Sequence, residues 1–206
     1  MEARKYLVLL AFALLLAFPG MSAGANLVAN GGFETGDFTG WTTVAAADGS
    51  IFGVGSTGSL PQLIPNSGSY AAYFGATASL ADSISQTITD IPGQTYAFSF
   101  YLAATTEPRF GGPSVSDSMI ANVNGSGITL TNIASDPLTP YTLYGFNFTG
   151  TGADVISFAS YNRPGYNYLD DVSVTAVPEP TTMLLFGSGL VGLAAYGRKK
   201  FFKSNK

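Results

Sequence analysis

Apolar side chains alternate with small or polar ones in several short segments of this chain, and this alternation constrains the fold more than any other feature. The clearest segment runs from Tyr96 to Leu102, and a second runs from Tyr144 to Phe148. A period of two residues is typical of half-buried strands, whereas helical periodicity is absent. Turn sequences such as Pro92-Gly93 and Asn124-Gly125 separate the segments. The pattern predicts an all-β sandwich with one inner face per sheet.

A third alternating segment carries a carboxylate. Asp170, Val172 and Val174 alternate with other residues near the end of the body, so we expect Asp170 to share their inward face. A buried carboxylate without a partner is unfavourable, and it therefore needs a cation or several hydrogen-bond donors. Asp82, in contrast, is expected in a loop.

The N-terminal segment has the layout of a secretory signal peptide. Arg4 and Lys5 precede an apolar run from Tyr6 to Phe18, and the small residues Ala23-Gly24-Ala25 follow. This order of basic, apolar and small residues predicts cleavage by signal peptidase. Residues 1–25 are therefore expected to be removed, and the exported body starts at Asn26.

The C-terminal segment, residues 177–206, has a different layout. Pro178-Glu179-Pro180 is followed by an apolar run of about 17 residues from Thr181, which is roughly 26 Å of helix and only just spans a bilayer. A basic cluster ends the chain and favours the cytoplasmic side. These features predict a single C-terminal transmembrane helix, and by themselves they favour a permanent membrane anchor.

Between the two ends lies an acidic body, residues 26–176, whose length suits one domain. From Asn26 to Val177 the chain has two cations, Arg109 and Arg163, and eleven acids, which is a net charge of −9. Nucleic-acid binding needs a basic patch, so we do not expect it. Neutral polysaccharides and divalent cations remain compatible with this charge.

Composition also argues against catalysis. The chain has no His and no Cys, which excludes a Ser-His-Asp triad, His-ligated zinc and thiol chemistry. A hydrolase would need paired carboxylates in a cleft, whereas the acids are scattered singly along the sequence. We therefore expect that the protein is not an enzyme.

Specific motifs resemble known families. The opening Asn30-Gly31-Gly32-Phe33-Glu34, the later Gly40-Trp41, the segment from Ser67 to Phe74 and the closing Tyr168-Leu169-Asp170-Asp171-Val172 occur in an order that resembles the galactose-binding-like jelly rolls of the carbohydrate-binding-module type. The resemblance implies a jelly-roll β-sandwich for residues 26–176.

The tail resembles the PEP-CTERM sorting signal of exopolysaccharide-producing Gram-negative bacteria. The same segment is also labelled an ice-binding-protein C-terminal domain, a label that does not imply ice binding. The resemblance implies that an exosortase recognises Pro178, Glu179 and Pro180 while the helix holds the chain transiently in the membrane. It favours sorting to the cell surface or extracellular matrix over a permanent anchor.

The jelly-roll resemblance also implies a structural calcium ion held by Glu34 and Asp170. Calcium takes six to eight oxygen ligands, so carbonyl groups of the Asn30 loop and near Ser67 would complete its shell. Two alternatives remain open. The carboxylates could cap turns, or Arg163 or Arg109 could neutralise Asp170.

Aromatic residues give the remaining candidates for a binding site. Trp41, the only tryptophan, is expected in the core. Tyr101, Tyr161 and Tyr166 are candidates for an exposed sugar-stacking surface, with Arg163 in the loop from Tyr161 to Tyr166, although strand tyrosines are commonly half-buried and a loop arginine is commonly solvated.

Two functions follow. The favoured one is a noncatalytic surface or matrix protein that is associated with exopolysaccharide. The alternative is a lectin-like module with a defined sugar site.

Overall fold

The computed structural model describes residues 24–46, 50–60, 63–76, 80–106, 116–133, 140–163, 165–178, 187–189 and 191–192. Residues Gly24–Val177 form one compact unit, which contains every strand. The strands are β1 Thr42–Val44, β2 Phe52–Ser56, β3 Tyr70–Phe74, β4 Asp82–Thr89, β5 Thr95–Thr106, β6 Ser116–Val123, β7 Ser126–Thr131, β8 Thr142–Thr149, β9 Ala153–Arg163 and β10 Gly165–Ala176.

The strands form two five-stranded sheets in which every pair is antiparallel. The first sheet has the order β1-β4-β9-β6-β7, and the second has the order β2-β3-β10-β5-β8. Most consecutive strands belong to different sheets, so the chain crosses repeatedly between the two layers. This arrangement is a jelly-roll β-sandwich, and the all-β prediction is confirmed.

The core lies between the sheets and is rich in aromatic residues. Phe98 and Phe100 of β5 point inward as predicted, and both pack against Phe158 of β9, with ring centroids 5.6 and 5.0 Å away. Trp41 is 8% exposed and stacks on Phe33 at 5.9 Å, which confirms its core position. Burial of such large side chains lets the domain fold without disulfides.

Two local turns follow from the sequence. Asn124 and Gly125 both have positive φ values and join β6 to β7, as expected for a two-residue hairpin turn with this sequence. In the opening loop, a Cβ at Gly31 would lie 2.1 Å from the carbonyl oxygen of Val172, so only glycine allows this approach. The close contact ties the opening loop to β10 through a 2.9 Å bond from the Val172 amide.

Two predicted loops are strands instead. Asp82 begins β4 and is fully buried. Hydrogen bonds from the Ala46 amide at 2.8 Å and the Ser50 hydroxyl at 2.6 Å offset part of the cost of burying it. The second predicted loop runs from Tyr161 to Tyr166. Its first three residues end β9, and Gly165 and Tyr166 begin β10.

Candidate functional site

Three carboxylates accept hydrogen bonds from residues 66–70. We call these three residues, Glu34, Asp170 and Asp171, the carboxylate clasp. The Glu34 carboxylate accepts hydrogen bonds from the Ser69 amide at 2.9 and 3.0 Å and from the Tyr70 amide at 3.1 Å. The structure therefore brings together the two predicted metal ligands, Glu34 and Asp170, on the two sides of the Asn66–Tyr70 turn. Asp171 is a third carboxylate that the sequence analysis did not single out.

The two aspartates of the clasp hold the start of the same turn. Asp170 Oδ2 accepts bonds from the amides of Asn66 and Ser67 at 2.8 and 3.2 Å. Asp171 accepts bonds from the Asn66 side-chain amide at 2.7 Å and from the Ser67 hydroxyl at 2.6 Å. These hydrogen bonds are the ones expected if the carboxylates cap a turn, which is one of the two alternatives to a calcium site.

Asp170 is buried as predicted, but the prediction that it shares a strand face with Val172 and Val174 was wrong. A register shift between Asp170 and Ser173 forms a bulge, and Asp171 has a φ of 50° there. The bulge places Leu169, Val172 and Val174 in the core, so Asp170 lies on the opposite face from the two valines. A strict period of two could not reveal this extra residue.

The clasp is strongly anionic. Asp170 is fully buried, and this burial raises its pKa to about 7, while the charge of Asp171 raises it and backbone hydrogen bonds lower it. Close by, the Tyr141 hydroxyl is buried without a hydrogen-bond partner among the described residues. Burial also raises the pKa of Tyr141, and the charges of Asp170 and Asp171 add to this effect.

The oxygen-rich clasp has the donor chemistry that calcium prefers. A Cβ at Gly32 would lie 3.6 Å from Asp171 Oδ1, 3.8 Å from Asp170 Oδ1 and 3.8 Å from Glu34 Cγ, so two aspartate oxygens and the stem of Glu34 approach this glycine. In the described part of the chain, however, no group of three or more acidic, His or Cys side chains is arranged to hold a metal ion.

A second feature is the outer face of the first sheet, which we call the uncharged face. Ser83, Ala159, Ile120 and Thr129 form one row across β4, β9, β6 and β7, and Ser85, Ser157, Asn122 and Gly127 form the next. Within these two rows and at Thr87, Val155, Tyr161 and Thr131 beside them, the face has no charged residue and Tyr161 is its only aromatic ring. These two rows are therefore neutral and rich in hydroxyl groups.

The three predicted ligand-binding tyrosines lie on two different sheets. Tyr161 lies on the uncharged face of β9. Tyr101 and Tyr166 lie on the outer face of the second sheet, where Tyr166 packs against Tyr73 and Tyr168 with both ring centroids 6.2 Å away. Arg163 is the last residue of β9 and pairs with Ser116, but its side chain lies outside the described part.

The sorting motif begins directly after the sandwich. Val177 donates its amide to the Thr95 carbonyl at 2.9 Å and accepts a 3.0 Å bond from the Gln94 side chain. Pro178 is exposed, while Glu179, Pro180 and most of the predicted helix lie outside the described residues, as does the predicted signal peptide. Among the residues that are described, no helix is long and apolar enough to cross a membrane.

Sequence comparison identifies the tail. Residues 176–200 match the PEP-CTERM protein-sorting motif, which confirms that resemblance. This motif implies export, processing by an exosortase and a fate at the cell surface or outside the cell. None of the curated proteins is similar to the chain in sequence.

Solved structures share the fold of the body. TmCBM61 in complex with β-1,4-galactotriose is 18% identical with a TM-score of 0.53, and the match covers 74% of this chain and 99% of that one. The CBM22-1 xylan-binding domain of Paenibacillus barcinonensis Xyn10C is 13% identical with a TM-score of 0.50 and coverages of 77% and 98%. A cleaved adhesin domain of Lys-gingipain from Porphyromonas gingivalis is 14% identical, with a TM-score of 0.51 and coverages of 71% and 96%. These similarities establish the jelly-roll fold.

Proposed function

We propose that this chain is an exported, noncatalytic protein of the cell surface or extracellular matrix whose sandwich binds neutral extracellular polysaccharide. One observation carries the proposal: a jelly roll with an uncharged, hydroxyl-rich face is followed directly, from Ala176, by a PEP-CTERM motif. The motif delivers the domain to the place where such polymers accumulate.

The uncharged face suits a neutral sugar chain. Serine, threonine and asparagine side chains exchange hydrogen bonds with sugar hydroxyls, and the Tyr161 ring offers an apolar surface for the face of a sugar ring. Neighbouring strands lie about 4.8 Å apart, so four strands give a shallow platform on the order of 14 Å wide. TmCBM61 is in complex with β-1,4-galactotriose and the CBM22-1 domain is xylan-binding, which supports this ligand class.

The charge of the body favours neutral polymers over acidic ones. Its net charge of −9 repels polyanions at long range. The uncharged face is where a polymer approaches the domain without meeting one of these acids directly. The second sheet, in contrast, carries Asp170 and Asp171 on β10, so we favour the first sheet as the binding surface.

Noncatalytic binding is the simplest activity for this set of residues. Without His or Cys, general acid–base chemistry would rest on carboxylates. The acids of the clasp accept hydrogen bonds from a turn of the chain itself, which suits a structural role. Calcium, where present, would be held by Glu34 and Asp170, and it would tie the opening loop to β10.

Binding is tested with the exported protein on a panel of neutral and acidic polysaccharides. We expect neutral glycans to bind and acidic ones to fail. Tyr161→Ala should weaken binding about tenfold, which corresponds to roughly 1.4 kcal/mol. Ser157→Asp places a charge in the middle of the uncharged face and should abolish binding.

The matched control is Ser99→Asp, which adds the same charge to the outer face of the second sheet and should bind as the wild type does. Equal loss in both aspartate variants would contradict the uncharged face as the binding surface. Saturable binding of one oligosaccharide would favour the alternative, a lectin with a defined sugar site.

Sorting is tested separately. Replacing Pro178-Glu179-Pro180 with alanines should leave export intact and block removal of the tail, whereas Ser204→Ala should change nothing. Mass spectrometry of the surface protein measures the result. A wild-type surface protein that retains Lys206 would leave a permanent membrane anchor as the explanation.

A further inference from the structure

Several strand ends and turns meet at the end of the sandwich from which the tail leaves, and we call this the exit end. It comprises the ends of β4, β8 and β10 and the starts of β5 and β9. Hydrogen bonds join its turns, since the Gly93 amide donates to Gly150 at 2.9 Å and the Gly150 amide donates to Gln94 at 2.8 Å. Two acidic residues, Asp90 and Asp154, lie between these turns.

The carboxyl groups of Asp90 and Asp154 are both buried, and two adjacent residues of one turn hold them. Asp90 is 9% exposed and Asp154 is fully buried, while the Gly152 amide donates to Asp90 and the Thr151 amide donates to Asp154. Asp154 accepts hydrogen bonds from the Asn124 side chain at 2.6 Å, the Thr151 amide at 3.0 Å and the Thr151 hydroxyl. Its charged form is therefore well supplied with donors.

Asp90 lacks such support. Its Oδ1 accepts one bond from the Gly152 amide at 2.6 Å. Its Oδ2 is buried, and no donor reaches it within the described part of the chain. A carboxyl oxygen that is buried without a donor is unfavourable unless it carries a proton itself.

None of the side chains in the described part of the chain carries a positive charge. Arg163 is nine positions from Asp154 along β9, or about 30 Å at roughly 3.3 Å per residue. Tyr96 is another titratable residue among the described residues of this region, and its hydroxyl oxygen accepts the Ile91 amide at 3.0 Å.

We propose that Asp90 and Asp154 share one proton, donated by Asp90 Oδ2, and that this proton is a latch that holds the exit end closed and releases it as pH rises. The proton turns the oxygen without a donor into a donor. Loss of the proton leaves two adjacent, buried negative charges, which repel each other.

The direction of the pH response follows from the surroundings of each carboxyl. Burial raises the pKa of Asp90, and the hydrogen bond with Asp154 raises it further, while the Gly152 amide lowers it. Burial opposes ionisation of Asp154, but bonds from Thr151, Asp90 and Asn124 outweigh it and lower its pKa. Asp90 thus takes up a proton on folding, so its stabilising effect is full below its unfolded pKa and disappears as pH rises through the folded pKa.

The latch is connected to the start of the sorting motif. Asp90 is followed by the turn that ends at Gln94, and Gln94 and Thr95 hold Val177, the residue before Pro178. Opening of the exit end therefore frees the chain that precedes the motif. This consequence for sorting rests on the proposed function, whereas the latch itself does not.

Hydrogen exchange on the full-length chain in detergent tests the latch. We expect protection of the Gly152 and Val177 amides, corrected for intrinsic exchange, to fall at least tenfold as pH rises from 3.8, the ordinary pKa of Asp90, to about 8. Asp90→Asn keeps the acceptor for Gly152 and supplies a permanent N–H donor toward Asp154, so its protection should be independent of pH. Asp37→Asn, at an exposed turn, should follow the wild type.

Three outcomes would overturn the latch. Wild-type protection that does not change with pH is the first, and an unchanged slope in Asp90→Asn is the second. The third is protection at pH 8 that calcium restores in the wild type, because the pair would then bind a divalent cation instead of a proton. Loss of polysaccharide binding would leave the latch untouched, so the two proposals fail independently.

Discussion

The carboxylate clasp and the Asp90–Asp154 latch bury the same chemical group in two different ways. In the clasp, backbone amides and polar side chains of the Asn66–Tyr70 turn surround the acids. In the latch, Asp154 has its donors but Asp90 Oδ2 has none. Donors offset part of the cost of burying the charged form, although the pKa of Asp170 is still raised to about 7, whereas an oxygen that has no donor favours a proton more directly. The number of donors is therefore what distinguishes the two sites.

The largest expected difference is in stability after truncation. Asp170→Ala leaves the amides of Asn66, Ser67 and Asp171 without their acceptor, and each unsatisfied donor costs about 1–3 kcal/mol when shielded from water. Because this turn is partly exposed, we expect a total loss of about 3 kcal/mol in the free energy of unfolding at neutral pH, measured in urea with chelator present.

Asp90→Ala is the matched variant in the latch. It removes one acceptor, that of Gly152, and it also removes a repulsive charge. We expect a loss of about 1 kcal/mol under the same conditions. Similar losses in the two alanine variants would mean that donor number does not distinguish the clasp from the latch.

The sequence predicted the clasp more completely than the latch, for physical reasons. Glu34 and Asp170 belong to local motifs that resemble a known fold, and Tyr96, Phe98 and Trp41 follow from periodicity and size. The latch depends on the pairing of β4 with β9, which places Asp154 beside Ile88 and is invisible to any local pattern. The bulge at Asp171 and the early start of β4 at Asp82 also depend on tertiary contacts.

Calcium gives the second difference. An ion that binds only the native clasp stabilises it by mass action, about 2.7 kcal/mol at 100-fold excess over the dissociation constant. We expect the melting temperature of the exported protein to fall in chelator and to recover with calcium. Magnesium should substitute poorly, because it requires a tighter octahedral shell.

The variants assign this response to one region. Glu34→Gln and Asp170→Asn should lose it, while Asp90→Asn should keep it. Identical melting curves with calcium and with chelator would exclude calcium binding, and capping of the Asn66–Tyr70 turn would then be the only role of the clasp.

The pH dependence of stability gives the third difference. The pKa of Asp170 is raised from 3.8 to about 7 on folding, so in chelator its contribution is full below pH 3.8 and is lost as pH rises toward 7. Saturating calcium should remove this loss, because the ion binds the ionised carboxylate. Stability curves of wild type and Asp170→Asn with and without calcium measure it. Stability that is still lost with rising pH in Asp170→Asn at saturating calcium, but is not lost in Asp90→Asn, would be assigned to the latch.

The smallest expected effect is that of Asp171→Asn, and it tests whether charge within the clasp matters apart from hydrogen bonding. Asparagine tolerates the φ of 50° and keeps an oxygen for the Ser67 hydroxyl, so the backbone and most contacts are preserved. Removal of the negative charge should lower the pKa of Asp170, because the charge of Asp171 raises it. We expect a change of less than about 1 kcal/mol in stability at pH 7, together with a shift of the Asp170 carboxyl titration to lower pH in carbon NMR. Asp171→Ala is the contrasting variant, since it adds backbone strain of roughly 1–2 kcal/mol at a positive φ. An Asp170 titration that does not move in Asp171→Asn would mean that burial alone sets the pKa, and the clasp would then differ from the latch in donors but not in coupling between its charges.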